Sequence, residues 1–127
     1  MTDFNAKHRE LYLEELKEFL NQYIDLKERI LNAENNIVRT QCVSAEKYTN
    51  NKIFNLLGKF NYDNREEIIL IMNTLRKELP YDYFVNVCNY KFKDHETKSL
   101  QDILYNEYKN EFINLVLDNE VKDEQQI

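Results

Sequence analysis

Few side chains in this 127-residue sequence are spaced for chemistry, and the best spaced are carboxylates. Glu10, Glu14 and Glu18 stand at i, i+4 and i+8, Glu15 lies beside them, and Asp25 and Glu28 follow. Residues four apart are neighbours on a helix, so this spacing makes an acidic ridge. Each like-charged pair costs an isolated helix about 0.2–0.5 kcal/mol. What such a ridge offers in return is electrostatic attraction of a cationic surface, which speeds encounter and selects partners. Glu107, Glu111, Asp118, Glu120, Asp123 and Glu124 form a second acidic group further along.

Groups that make or break bonds are scarce. The two histidines, His8 and His95, stand in no HxxxH or HExxH spacing, and Cys42 and Cys88 lack a CxxC partner. A zinc site would have to gather these four from four distant segments, so buried thiols and exposed imidazoles are the expectation. The stretch "NYDNREE" has the oxygen ligands of a calcium loop without its turn glycine or its spaced bidentate Glu, and reads as a helix cap. With Gly58 as the one glycine, no glycine-rich loop exists to cradle a phosphate. The expectation is no catalytic residue, no metal, no cofactor, and a protein that is not an enzyme.

One short motif bears on phosphoryl chemistry. In "HETKSL", His95 is followed three residues later by Lys98 and then by Ser99. Over about six residues this resembles the His-x-x-Lys-Gly core of histidine phosphotransfer domains, which are helical bundles; Ser99 stands where that family has glycine. The resemblance implies a phosphoryl-accepting His95 in a regulatory domain. Against it, His95 precedes the expected helix rather than lying within one, and it sits in a basic cluster with Lys91, Lys93 and Lys98.

Composition narrows the partners. There are 17 basic and 23 acidic residues, a net charge of −6. Phosphate backbones demand concentrated Lys and Arg, so direct nucleic-acid binding is not expected, although Tyr83, Tyr90 and Phe92 do alternate with lysines. Seventeen Asn, twelve Lys, ten Ile and nine Tyr against one Gly, one Pro and three Ala are the residues of AT-rich codons, hence of a low-GC genome. The nine tyrosines are therefore no interface signature. No signal-peptide h-region and no membrane-length apolar run is present, and two unpaired cysteines suit a reducing compartment. A cytoplasmic location is the expectation.

The elements that must hold these groups are helical. Tyr12, Phe19, Leu26 and Ala33 occupy one heptad position and Leu16, Tyr23, Ile30 and Ile37 the other. A helix of that length measures roughly 45–50 Å, against a radius of gyration near 14 Å for a compact domain of this size. It must therefore fray in the Asn-rich "NAENN" around residue 34 or project beyond the body and pack on something. Ser44 offers an N-cap for a second helix with Ala45, Tyr48, Ile53, Leu56 and Leu57 on one face, closed by Gly58. A third helix follows a capping box, Asp63 with Glu66 or Asn64 with Glu67, and stops at Pro80. Its apolar run Ile68–Met72 suits a central helix. Residues 81–92 read as a helix with Phe84, Val87 and Cys88 on one face, or alternatively as one arm of a short β-hairpin. A last helix starts at Ser99, capped with Asp102, and residues 118–127 read as a frayed tail.

The resulting expectation is a single all-α domain of four to five helices with a long N-terminal helix. Functionally it is a protein-binding module: a small acidic inhibitor or immunity-type protein of phage or mobile-element style. Its partner would be a basic enzyme that handles nucleic acid, met by Glu10, Glu14, Glu15, Glu18, Asp25 and Glu28. The alternative is a homodimeric helical scaffold joined through Tyr12, Leu16, Phe19, Tyr23, Leu26 and Ile30.

Overall fold

In the computed structural model the structure describes residues 6–91 and 98–126, with side chains over 8–91 and 98–118. The described residues are all-α: α1 Ala6–Leu31, α2 Asn36–Leu57, α3 Arg65–Glu78, α4 Tyr81–Cys88, α5 Leu100–Glu107 and α6 Lys109–Gln126. By its own contacts the chain divides into two compact units, Met1–Phe60 and Asn61–Ile127.

The first unit is a helical hairpin. The pairs Lys27 with Glu46 and Phe19 with Lys52 run in opposite directions along the two helices, so α1 and α2 are antiparallel, and just past α2 Phe60 meets Tyr12. α1 is long, as its heptads require, and stops at Leu31; the Asn32 N–H donates to the Glu28 carbonyl at 3.0 Å. "NAENN" is a tight turn rather than a frayed end. Asn35, in extended conformation, accepts the Val38 N–H on its side chain at 2.9 Å and caps α2. The cap was therefore nine residues upstream of Ser44, which lies inside α2 and caps nothing. Ala33 falls in the turn and Ile37 on α2, so neither extends the α1 seam.

The inward face of α2 also differs from expectation. Ile53, Leu56 and Leu57 are buried, but Ala45 and Tyr48 are exposed, and the buried residue of that turn is Thr49. Its hydroxyl is satisfied by donating to the Ala45 carbonyl at 2.9 Å. Thr49 precedes Ile53 and Leu57 at i+4 and i+8 and so shares their face, whereas Tyr48 stands about 140° from Ile53 on the helix. Gly58 does terminate α2, in right-handed conformation (φ −67°), with its N–H on the Phe54 carbonyl at 2.9 Å.

In the second unit α3 carries the apolar stripe its spacing predicts. Ile68, Ile71, Met72 and Leu75 are fully buried and Leu79 nearly so, while Ile69 and Leu70 are half-buried. Of the two capping boxes it is Asn64 that caps, accepting from the Glu66 and Glu67 N–H groups at 2.9 and 3.3 Å. Glu67 does not return to the cap. The Asn64 N–H already donates to the Asn61 carbonyl, and the buried Glu67 carboxylate accepts instead from the Asn61 N–H at 2.7 Å. "NYDNREE" is thus a capping turn.

Residues 81–88 form α4, not the β-hairpin arm, with Phe84, Val87 and Cys88 buried on one face. Pro80 occupies the N-cap position and Asp82 lies in the first turn, where a negative charge suits the helix dipole. The one β-type pairing among the described residues is an isolated bridge between Lys91 and Ser99. Ser99 caps α5 as expected, accepting from the Asp102 N–H at 3.1 Å. The last helix breaks at Tyr108 (φ −136°, ψ 46°), which adds a helix to the expected count. α6 includes residues 118–126, and residue 127 lies outside the described residues. No Gly or Pro follows Leu100 to end it.

Candidate partner-binding surface

The ridge is built by the register of α1. At 100° per residue, Leu16, Leu20 and Tyr23 share one side and are buried. The same rotation carries Glu14, Glu18 and Asp25 to the opposite side, with Glu10 and Glu28 on one flank and Glu15 on the other. All six acidic residues are exposed. Two have intrahelical partners: Glu14 lies 4.0 Å from Lys17, and Asp25 3.0 Å from Arg29. Among the described residues no ion pair engages Glu10, Glu15, Glu18 or Glu28. A shallow depression of about 520 Å³ runs along Glu10, Leu11, Leu13, Glu14 and Lys17, where Leu11 is an exposed apolar residue amid the charge.

The seam residues are graded. Leu16 and Tyr23 are buried, while Tyr12, Phe19, Leu26 and Ile30 are half-buried. Lys27 ties the hairpin together. Its ammonium lies 2.8 Å from Glu46 and over the Tyr23 ring. Burial on its own lowers the Lys27 pKa, but the hydrogen bond and charge of Glu46, together with Tyr23, outweigh it and the net shift is upward. A raised pKa means the contribution is complete below the ordinary lysine value of 10.5 and is lost as pH rises through the folded value. Melting followed by circular dichroism should show a stability loss above that pH that Lys27→Met removes.

The second acidic group is less free. Glu111 is paired with Arg65, whereas Glu107 and Asp118 are exposed; the side chains of Glu120, Asp123 and Glu124 lie outside the described residues. Glu107 lines a cleft of about 260 Å³ with Tyr62, Asp63, Lys98, Ile103, Asn106 and Tyr108. Burial first, then the Glu107 carboxylate, pushes the Tyr108 phenol up.

Among the described residues no group of three or more His, Cys, Asp and Glu is placed to hold a metal ion. Cys42 is half-buried and Cys88 buried, and both thiols are free. Burial pushes the Cys88 thiol well up, away from the thiolate a nucleophile needs. His8 is exposed beside the Tyr12 ring. Phe92, Lys93 and His95, the histidine of the phosphotransfer motif, lie outside the described residues, while Lys98 and Ser99 of that motif lie within them. No described helix is long and apolar enough to cross a membrane.

Sequence reasoning missed an apolar group at the hairpin turn. Leu31, Ile37 and Val38 are 77, 72 and 40% exposed. Had Asn35 been taken as the α2 cap, Leu31 and Ile37 would have fallen at helix ends beside the turn, and their exposure would have been legible. No known protein family, curated protein or solved structure matches this chain.

Proposed function

We propose that this chain is a non-enzymatic protein-binding module, an acidic inhibitor or immunity-type protein whose α1 ridge occludes a basic, nucleic-acid-handling partner. The observation that carries the reading is the outward row Glu10, Glu14 and Glu18, all exposed, of which only Glu14 is ion-paired among the described residues. Their mutual repulsion opposes folding slightly, and a basic partner turns the same field into attraction. The row repeats every helical turn, as the phosphates of a nucleic acid repeat along a groove, so a basic groove is the complementary surface.

The test begins with affinity capture of the tagged chain from its host's lysate, with nuclease added, at low and high salt. One basic nucleic-acid enzyme retained at low salt and released at high salt is the expected result. Glu10→Lys, Glu14→Lys and Glu18→Lys together should then slow association with that enzyme and flatten its salt dependence. An unchanged association rate would put the binding surface elsewhere.

A further inference from the structure

Helix α5 is bracketed by two charges that its own dipole disfavours. Lys98 stands one residue before the Ser99 cap, at the positive end, and Glu107 is the last residue, at the negative end. Asp63, in the capping turn before α3, adds a second carboxylate, and all three side chains are exposed. Among the described residues no ion pair engages any of them. At each end of α5 the side chain and the helix dipole carry the same sign. Their combined field opposes folding and attracts a molecule of the opposite polarity.

The three charges line one cleft. It holds about 260 Å³, is built from residues of the second unit, and also takes in Asn106 and the aliphatic Ile103. Tyr108 completes its wall, at the helix break that no Gly or Pro explains. Burial first and then Glu107 push the Tyr108 phenol up, with Asp63 and Glu111 adding and Arg65 opposing, so its O–H remains a hydrogen-bond donor. At about 30 Å³ per water the volume corresponds to roughly nine water-sized groups, which suits a molecule of amino-acid size.

We propose that this cleft binds a small zwitterion, an amino acid, with its carboxylate at Lys98 and its ammonium at Asp63 and Glu107. The ligand then lies against the field of α5, Asn106 and the Tyr108 hydroxyl supply neutral hydrogen bonds, and Ile103 takes an aliphatic contact. A simple cation leaves Lys98 unmatched, and a simple anion leaves both carboxylates unmatched. The proposal goes beyond the inhibitor reading and uses no residue of the α1 ridge.

The test is nuclear magnetic resonance titration of the isotope-labelled full chain. Glycine, 4-aminobutyrate and 6-aminohexanoate hold the same two charges progressively further apart; acetate and methylammonium carry one charge each. At least one of the three zwitterions should shift the Ile103, Asn106 and Tyr108 amides, with a dissociation constant at least about tenfold below those of acetate and methylammonium. Lys98→Gln and Glu107→Gln should each weaken that binding about tenfold. Each should also raise the denaturation midpoint of the free chain, because each removes a charge from the wrong end of α5. No saturable shift with any zwitterion overturns the proposal, as does equal binding of acetate or methylammonium. Binding that survives both substitutions overturns it too, and a lowered midpoint in either variant makes that residue a structural support instead of a ligand group.

Discussion

Helix α3 and the distal half of the α1–α2 hairpin are built from the same aliphatic residue types and end in opposite environments. In α3, Ile68, Ile71, Met72 and Leu75 are fully buried, with α4 and α6 packed on the helix. At the hairpin turn Leu31 and Ile37 are 77 and 72% exposed. The difference lies in neighbours rather than in composition. α3 has 14 residues and α1 has 26, which at about 1.5 Å per residue makes them roughly 21 and 39 Å long. The shorter helix can be covered along its whole length by others. The longer one carries its apolar pattern past the point where one antiparallel neighbour can bury it. Exposed aliphatic side chains at that point are surface available for association, whereas those of α3 serve stability.

The contrast can be broken by substitution. Ile71→Ala, in the covered helix, should cost about 2–5 kcal/mol in urea denaturation, because it removes buried methylenes and leaves a cavity. A loss below about 1 kcal/mol would mean the site collapses around the smaller side chain and α3 is not tightly packed. Asn64→Ala, which leaves the first N–H groups of α3 without their acceptor, should cost about 1 kcal/mol. A smaller effect with the opposite sign is expected at the end of α2. Gly58 is in right-handed conformation, and an added Cβ would meet the Phe54 and Asn55 carbonyls at ordinary contact distances of 3.4 and 3.6 Å. Gly58→Ala should therefore stabilise by about 0.4–1 kcal/mol through the unfolded chain, read as a raised denaturation midpoint. Ile37→Gln, at the uncovered turn, should change the stability of the folded chain by no more than about 0.5 kcal/mol. A loss comparable to that of Ile71→Ala would erase the comparison, since Ile37 would then be part of a core.

Much of the fold was legible because it depends on local rules. The 3.6-residue period of α1 and α3, the Asn64 and Ser99 caps and the stop at Pro80 all act within a few residues of chain. The errors arose where two local signals competed. Asn35 and Ser44 are both good caps, and the chain uses the first because Asn35 sits in extended backbone at the turn while Ser44 lies in mid-helix. At Tyr108 no Gly or Pro announces the break between α5 and α6. The acidic ridge was legible as a spacing, and its outward direction follows from the buried stripe opposite it. The apolar turn was not, because its exposure depends on where α1 stops.

Composition and periodicity alone therefore dictate an all-helical chain with an acidic outer face on its first helix, since helix formation and the 100° step act locally. Burial is a different kind of property. Whether Thr49 or Tyr48 faces inward, whether Glu67 binds the cap or Asn61, and whether Leu31 meets protein or water depends on which surfaces arrive opposite. That is decided only when helices distant in the chain pack together, because the apolar area removed from water belongs to a pair of surfaces and not to either one.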